Sequence, residues 1–229
     1  MAENVFAAYA RYRGAVSTLI VLAKAPLTGR VKTRLCPPCS PAEAALIAEA
    51  ALRDTLDVAT TCGASRVVVV LDGPRPDWFP PELEVIGQRD GGLDVRLSDA
   101  FSDVLGLSTD PTLLVAMDTP HLSADWLRGG FVALDSGADA VIGMAHDGGF
   151  WVVGLHRPNR MVFEGLPMST TKTGDAQRFR IESLGMRIAV LPETFDIDTT
   201  AELDRLVDEH PELRTSNVWR AIRNPLRSR

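Results

Sequence analysis

Four cations crowd one short stretch of this chain. Lys24, Arg30, Lys32 and Arg34 fall within Leu22-Ala-Lys-Ala-Pro-Leu-Thr-Gly-Arg-Val-Lys-Thr-Arg-Leu35. Pro26 and Gly29 break regular structure, so the charges are expected on a loop. Arginine offers a planar fork to phosphate oxygens and lysine a point charge. Gly29 would let the backbone come close to a ligand. The chain as a whole carries a formal charge of -6, so a strongly basic loop within it points to a bound anion rather than to a solvated surface. The segment is not a P-loop, because G-x-x-x-x-G-K-[ST] does not occur in it, and it lacks the dinucleotide pattern G-x-G-x-x-G.

Carboxylates supply the second set of candidates. Asp118 follows the apolar run Thr112-Leu-Leu-Val-Ala-Met117, where a charge is costly unless it finds a partner. Mg²⁺ binds through one or two carboxylates plus phosphate oxygens, and Asp118 with a second carboxylate fits that need. Asp196 and Asp198 are read as facing opposite sides of an extended segment, so one of them is expected at the metal. Asp198-Thr199 also suits a helix cap, and Asp147-Gly148-Gly149 suits a turn. Cys36-Pro-Pro-Cys39 has C-x-x-C spacing. A zinc site would need a second ligand pair, and two prolines separate the sulfurs, so the pair is read as incidental.

The elements that must position these residues follow from hydrophobic pattern and turn signals. Strands are expected over Ser17 to Ala23, Arg66 to Leu71, Leu83 to Ile86, Thr112 to Met117, Ala138 to Ile142, Phe150 to Leu155 and Arg187 to Leu191. Helices are expected from the capping box Ser40-Pro-Ala-Glu43 to Thr61, over Leu93 to Leu107, Ser123 to Leu134 and Asp175 to Leu184, and from Ala201. Strands alternating with helices imply an α/β fold with a doubly wound, mostly parallel sheet flanked by helices. Such sheets bind ligands outside the carboxyl ends of their strands. The basic loop, the Gly91-Gly92 loop and Asp118 all belong to that edge. The division expected is an N-terminal arm over 1–15, a single domain over 16–210 and a basic tail over 211–229.

A chain of 229 residues suits such a domain. The negative charge argues against nucleic-acid binding. No apolar run approaches the ~20 residues of a membrane span. The first residues lack the basic and apolar regions of a signal peptide, so a cytoplasmic location is expected.

Taken together the motifs resemble the nucleotide-diphospho-sugar transferase superfamily with the GT-A fold. Within it the chain is similar to a bacterial glycosyltransferase-like family and, more distantly, to 2-phospho-L-lactate guanylyltransferase. The resemblance covers about Ser17 to Val207. It rests on the segment Lys24 to Leu35, on Met117-Asp-Thr-Pro120, on Asp147-Gly-Gly-Phe-Trp-Val-Val-Gly-Leu155 and on Phe195-Asp-Ile-Asp-Thr199. Thr119 stands where the family usually has Cys, and Gly92 to Leu97 is a loose form of D-L-G-x-R-L. Pro167-Met-Ser-Thr170 lacks the Trp often found before Ser-Thr.

The resemblance implies that Ala23, Lys24, Gly29, Arg30, Lys32 and Arg34 surround the nucleotide phosphates. Gly91, Gly92 and Asp94 would lie near base or ribose. Asp118 and Asp198 would hold Mg²⁺ or Mn²⁺, and Asp147 to Phe150 would line the acceptor side. Lys32, Asp118 and Asp147 are the expected catalytic side chains. The activity implied is transfer to a small-molecule acceptor, most simply glycosyl transfer from a nucleotide sugar. Nucleotidylyl transfer from a nucleoside triphosphate, with release of pyrophosphate, is the alternative. A nucleotide-binding module without catalysis is a third reading, which a retained pair of metal-binding carboxylates disfavours.

Overall fold

The computed structural model describes residues 16–224; the N-terminal arm expected over 1–15 lies outside them. Seven strands form one sheet: β1 (Thr18–Lys24), β2 (Arg66–Asp72), β3 (Glu84–Gly87), β4 (Thr112–Ala116), β5 (Ala140–Ala145), β6 (Phe150–Leu155) and β7 (Ile188–Thr194). Their order is β3-β2-β1-β4-β6-β5-β7. All neighbours pair in parallel except around β6, which runs antiparallel to both β4 and β5. Continuous apolar runs such as Val67 to Leu71 suit such strands, since helices cover both faces.

The helices are α1 (Pro41–Thr61), α2 (Leu93–Leu105), α3 (Ala124–Asp135), α4 (Arg160–Phe163), α5 (Thr173–Ser183), α6 (Thr200–Glu209) and α7 (Arg214–Arg223). The capping box at the start of α1 is formed as the sequence indicates: the Ser40 side chain accepts from the Glu43 backbone, and Glu43 accepts from the Ser40 backbone. The sheet separates two apolar layers. One gathers Leu19, Val21, Leu52, Leu113, Phe131 and Trp151; the other gathers Ile20, Val68, Phe101, Leu114, Val153 and Phe163. No helix of the described residues is long and apolar enough to cross a membrane.

A third apolar cluster does the positioning. Leu35 from the end of the basic loop packs with Ile47 and Ala51 of α1, Phe195 and Ile197 after β7, Leu203 and Leu206 of α6, and Trp219 of α7. The anchors of the basic loop and of the Asp196–Asp198 segment thus share one core. This corrects the domain division at 210. Trp219 is buried and its Nε1 donates to Asp204 at 2.7 Å. Asp54 of α1, also buried, accepts from the Thr215 backbone and hydroxyl. The apolar spacing in α7 closes this cluster, so the folded unit runs on past 210 through Arg223. Short α4 and a 3-10 turn over Thr33–Leu35 were not foreseen, because neither spans enough residues to show a period.

His121 lies buried behind the same loops, stacked on Phe195 at 4.1 Å and bonded to the Thr194 hydroxyl at 2.7 Å. Burial lowers its pKa from an ordinary 6.5 to about 4, helped by His210, Arg205 and His146 and opposed by Glu209. The unfolded chain therefore takes up this proton first. Stability is expected to fall as the pH drops from about 6.5 toward about 4, with a full loss of about 3 kcal/mol. Urea unfolding of His121→Gln between pH 7 and pH 4.5 checks this: the variant should show a flatter pH dependence, and parallel curves would contradict it.

Candidate functional site

Apart from Asp94, which lies in the first turn of α2, the candidate residues sit at the carboxyl edge of the parallel strands or on a loop leaving it. Two cavities of about 370 and 400 Å³ adjoin there and share Leu22, Arg34, Ala116, Asp118, Ser169 and Asp198 in their walls.

The first cavity is cationic. Ala23 and Lys24 at the end of β1, Arg30, Lys32 and Arg34 from the basic loop, and Arg96 of α2 line it. Gln88, just after β3, holds this wall in place. Its Nε2 donates to the Ala23 and Val70 carbonyls at 2.8 and 3.0 Å, while its Oε1 accepts from Arg96 Nη1 at 3.1 Å. Arg96 Nη1 also lies 4.0 Å from Asp72 Oδ2.

The shared wall carries the central contact. Lys32 Nζ lies 2.6 Å from Asp118 Oδ1 and 3.3 Å from Asp198 Oδ1, and it donates to the Ile197 carbonyl at 2.6 Å. Arg34 Nη1 lies 2.5 Å from Asp198 Oδ2. The Ile197 N–H donates to the Asp118 carbonyl at 2.9 Å, which ties the loops after β4 and β7 together. Burial alone would lower the pKa of Lys32, but Asp118 and then Asp198 outweigh it and hold the ammonium charged. Lys32 is therefore engaged with carboxylates rather than free to meet a phosphate. It also sits at a positive φ of 47°, a backbone setting seldom taken without a local reason.

Two carboxylates that converge on one ammonium can also converge on one divalent ion. Among the described residues no three acidic, His or Cys side chains form a metal cage. The pair Asp118 and Asp198 instead fits an ion of the Mg²⁺ type, which takes one or two carboxylates and completes its shell with phosphate oxygens and water.

The second cavity is lined by Asp147, Gly149, Phe150, Trp151, Met168, Ser169, Thr170, Thr171, Thr173 and Asp196 beside the shared residues. Burial pushes the Asp196 carboxyl up to about 7, with Asp147, Asp198 and Asp118 adding to the shift and Lys32 opposing it. Beside this cavity the start of α5 closes on the turn after β5: the Gly174 N–H donates to the Gly148 carbonyl at 2.8 Å. A Cβ at Gly148, which has φ +88°, would stand 2.1 Å from the Thr171 carbonyl oxygen. Gly148→Ala is thus expected to cost about 1–3 kcal/mol and to displace the loop carrying Asp147. Unchanged thermal unfolding of that variant would contradict the packing. Ser169, on both cavity walls, is the other non-glycine residue at positive φ among those described, at 58°.

The family whose model matches this chain is described as "Uncharacterized protein conserved in bacteria (DUF2064)", and the match spans residues 50–170. The chain belongs to this family. No curated protein matches its sequence. The fold is that of the nucleotide-diphospho-sugar transferases. A solved structure from Desulfovibrio desulfuricans G20, named for that class, is 21% identical and superimposes with a TM-score of 0.82, over 93% of this chain and 96% of that chain. Rv0371c from Mycobacterium tuberculosis H37Rv is 19% identical, with a TM-score of 0.57 over 85% of this chain and 100% of that one; it has also been solved in complex with manganese. CMP:2-keto-3-deoxy-manno-octonic acid synthetase, solved with CTP, is 14% identical, with a TM-score of 0.51 over 84% of this chain and 97% of that chain.

Measured against this DUF2064 member, most residues named from sequence meet in the cavities: Ala23, Lys24, Arg30, Lys32, Arg34, Asp118, Asp147 and Asp198. Gly29, Gly91, Gly92 and Asp94 are absent from both walls. Asp94 instead accepts from the Gly165 N–H at 2.9 Å, tying α2 to the loop after α4. The opposed facing of Asp196 and Asp198 is corrected. Residues two apart in an extended segment share a face, so Phe195 and Ile197 point into the core while both carboxylates line the cavity. Nor is Asp198 the helix cap, a role taken by Thr199 and Glu202. Gln88 and Arg96 were missed, and Asp196 was weighed but placed opposite Asp198; the alternation Phe-Asp-Ile-Asp was the available signal for it.

Proposed function

We propose that this protein is a metal-assisted transferase that moves a sugar from a nucleotide-activated donor to a hydroxyl of a small acceptor. The observation that carries the reading is the opposite character of two joined cavities, cationic on one side and carboxylate-rich on the other, with Asp118 and Asp198 in the wall they share. Lys24, Arg30, Arg34 and Arg96 suit the diphosphate of a donor. Asp147 and Asp196 face the acceptor. The acceptor oxygen attacks the sugar carbon, the carbon–oxygen bond to the diphosphate breaks, and the acceptor proton passes to one of these carboxylates. A divalent ion held by Asp118 and Asp198 would neutralise charge on the leaving diphosphate. Otherwise the chain's contribution is positioning. Nucleotide-activated sugars are made inside cells, and the reading sets the protein in the cytoplasm accordingly.

Nucleotidylyl transfer is the second reading. It draws support from the CTP-bound synthetase and from the bifunctional IspDF of Campylobacter jejuni, which is 13% identical with a TM-score of 0.52 over 83% of this chain and 54% of that chain. In that reading a substrate phosphate attacks a triphosphate, but a phosphate nucleophile is poorly suited to a cavity holding Asp147 and Asp196. A thermal-shift panel of nucleotide sugars and triphosphates, with and without Mg²⁺ or Mn²⁺, tests the choice. A nucleotide sugar should stabilise the protein more than the triphosphate of the same base, and only with the ion. A reversed order would favour nucleotidylyl transfer.

A further inference from the structure

Lys32 belongs to the cationic cavity by position but not by bonding. An ammonium has three donors, and here all three are taken. Nζ lies 2.6 Å from Asp118 Oδ1, 3.3 Å from Asp198 Oδ1 and 2.6 Å from the Ile197 carbonyl oxygen. Three oxygens from the loops after β4 and β7 thus converge on one nitrogen, as oxygens do on a small cation. The backbone around Lys32 is fixed. Val31 and Leu35 are buried on either side, and the Lys32 carbonyl accepts from the Leu35 N–H at 2.9 Å. Those anchors hold its left-handed setting at φ 47°. The four-carbon stem is the part that can turn, and it lines the cationic cavity with Lys24, Arg30 and Arg96. One side chain therefore has two destinations, the carboxylates or an anion in that cavity.

We propose that the Lys32 ammonium is a built-in stand-in for the divalent ion, and that loading of the ion hands this ammonium over to the donor diphosphate. The two cations exclude each other, because both need the same oxygens and would repel at contact distance. The ammonium does not leave unaided, since Asp118 and Asp198 would then face each other without a counter-charge. Once replaced, it stands among Lys24, Arg30 and Arg96 and needs an anion, which the diphosphate supplies. Ion and donor therefore bind as partners, each completing the site of the other. Until both are present, the contact of Lys32 with the carboxylates holds each of them to weak binding. This inference rests on the donor reading above and adds the device that couples the donor to the ion.

Two measurements on the full chain test it. The first is reductive methylation of the unaltered protein, read by mass spectrometry. The lysines of the chain are Lys24, Lys32 and Lys172. Lys172 is exposed and lines neither cavity, so it serves as the reference. Saturating Mn²⁺ should raise the reactivity of Lys32 relative to Lys172 on the order of tenfold, and nucleoside diphosphate added to the Mn²⁺ form should suppress it again. The second compares the unaltered protein with Lys32→Met, with free Mn²⁺ read by electron paramagnetic resonance and nucleoside diphosphate by calorimetry. The variant should bind Mn²⁺ alone on the order of tenfold more tightly, yet bind nucleoside diphosphate at saturating Mn²⁺ on the order of tenfold more weakly. Opposite signs mark a transferred group: a purely structural lysine would weaken both, and one that only blocks the ion would weaken neither. If Lys32→Met does not fold, the methylation result decides alone. Lys32 reactivity unmoved by Mn²⁺ that binds, no Mn²⁺ binding to folded Lys32→Met, or two affinities that do not move in opposite directions overturns the inference and leaves the donor reading standing. Failure of the unaltered protein to bind any nucleoside diphosphate, with or without the ion, overturns the donor reading and this inference with it.

Discussion

Asp118→Asn is expected to lower transfer by on the order of 10²–10³-fold and to remove the dependence of nucleotide affinity on Mg²⁺ or Mn²⁺. The substitution keeps the shape and removes one charge from the point where Asp118 and Asp198 converge on a single cation. Asp198→Asn should behave alike. The double variant should be little worse than either single one, because both carboxylates act through one ion and their losses do not add. Calorimetric titration of nucleotide with and without the ion separates this from a structural role. If either variant keeps full metal dependence, the shared-ion arrangement is wrong.

Lys32→Met is expected to lower stability by about 2 kcal/mol in the absence of divalent ions. Stranding a fully buried ionic partner costs more, about 3–5 kcal/mol. Here the Lys32 side chain is 5% exposed but those of Asp118 and Asp198 are 39% and 30% exposed, and water softens the repulsion. The variant should regain much of the loss on addition of Mg²⁺, and its melting temperature should respond to the ion more than that of the unaltered protein. In the latter the ion must displace an ammonium that already holds both carboxylates. A melting temperature indifferent to the substitution, or equal responses to the ion, would show that Lys32 does not govern the pair.

The chain's architecture was legible because its local signals agree. Apolar β-branched runs, a capping box at Ser40 and glycine stops give an alternation of strands and helices. A doubly wound sheet then places the loops after β1, β4 and β7 on one edge without further information. The helix Arg214–Arg223 was less legible. Its apolar residues are few and its many arginines read as a tail, while the cluster it closes is formed by residues far away in sequence, Leu35 and Phe195 among them.

The site was legible by residue type and only partly by role. Cations in a Pro- and Gly-broken loop announce anion binding, but nothing in sequence shows that Lys32 reaches across to residues 118 and 198. Gln88 and Arg96 gave no strong signal because their importance is geometric: one links two strand carbonyls to a guanidinium. Asp196 was assigned to the wrong side by a misapplied alternation, and its two apolar neighbours are what turn it toward the cavity.

What leaves the nucleotide decides most directly between transfer of a sugar and transfer of a nucleotidyl group. Phosphorus NMR of the protein incubated with Mg²⁺, a nucleotide sugar, the triphosphate of the same base and a small hydroxylated acceptor, run beside the Asp118→Asn variant, reads it whatever the glycosylated product turns out to be. Sugar transfer predicts resonances of a nucleoside diphosphate that grow with time, no pyrophosphate, and a far slower change in the variant. Pyrophosphate released from a nucleoside triphosphate, with every nucleotide sugar left intact, would contradict it.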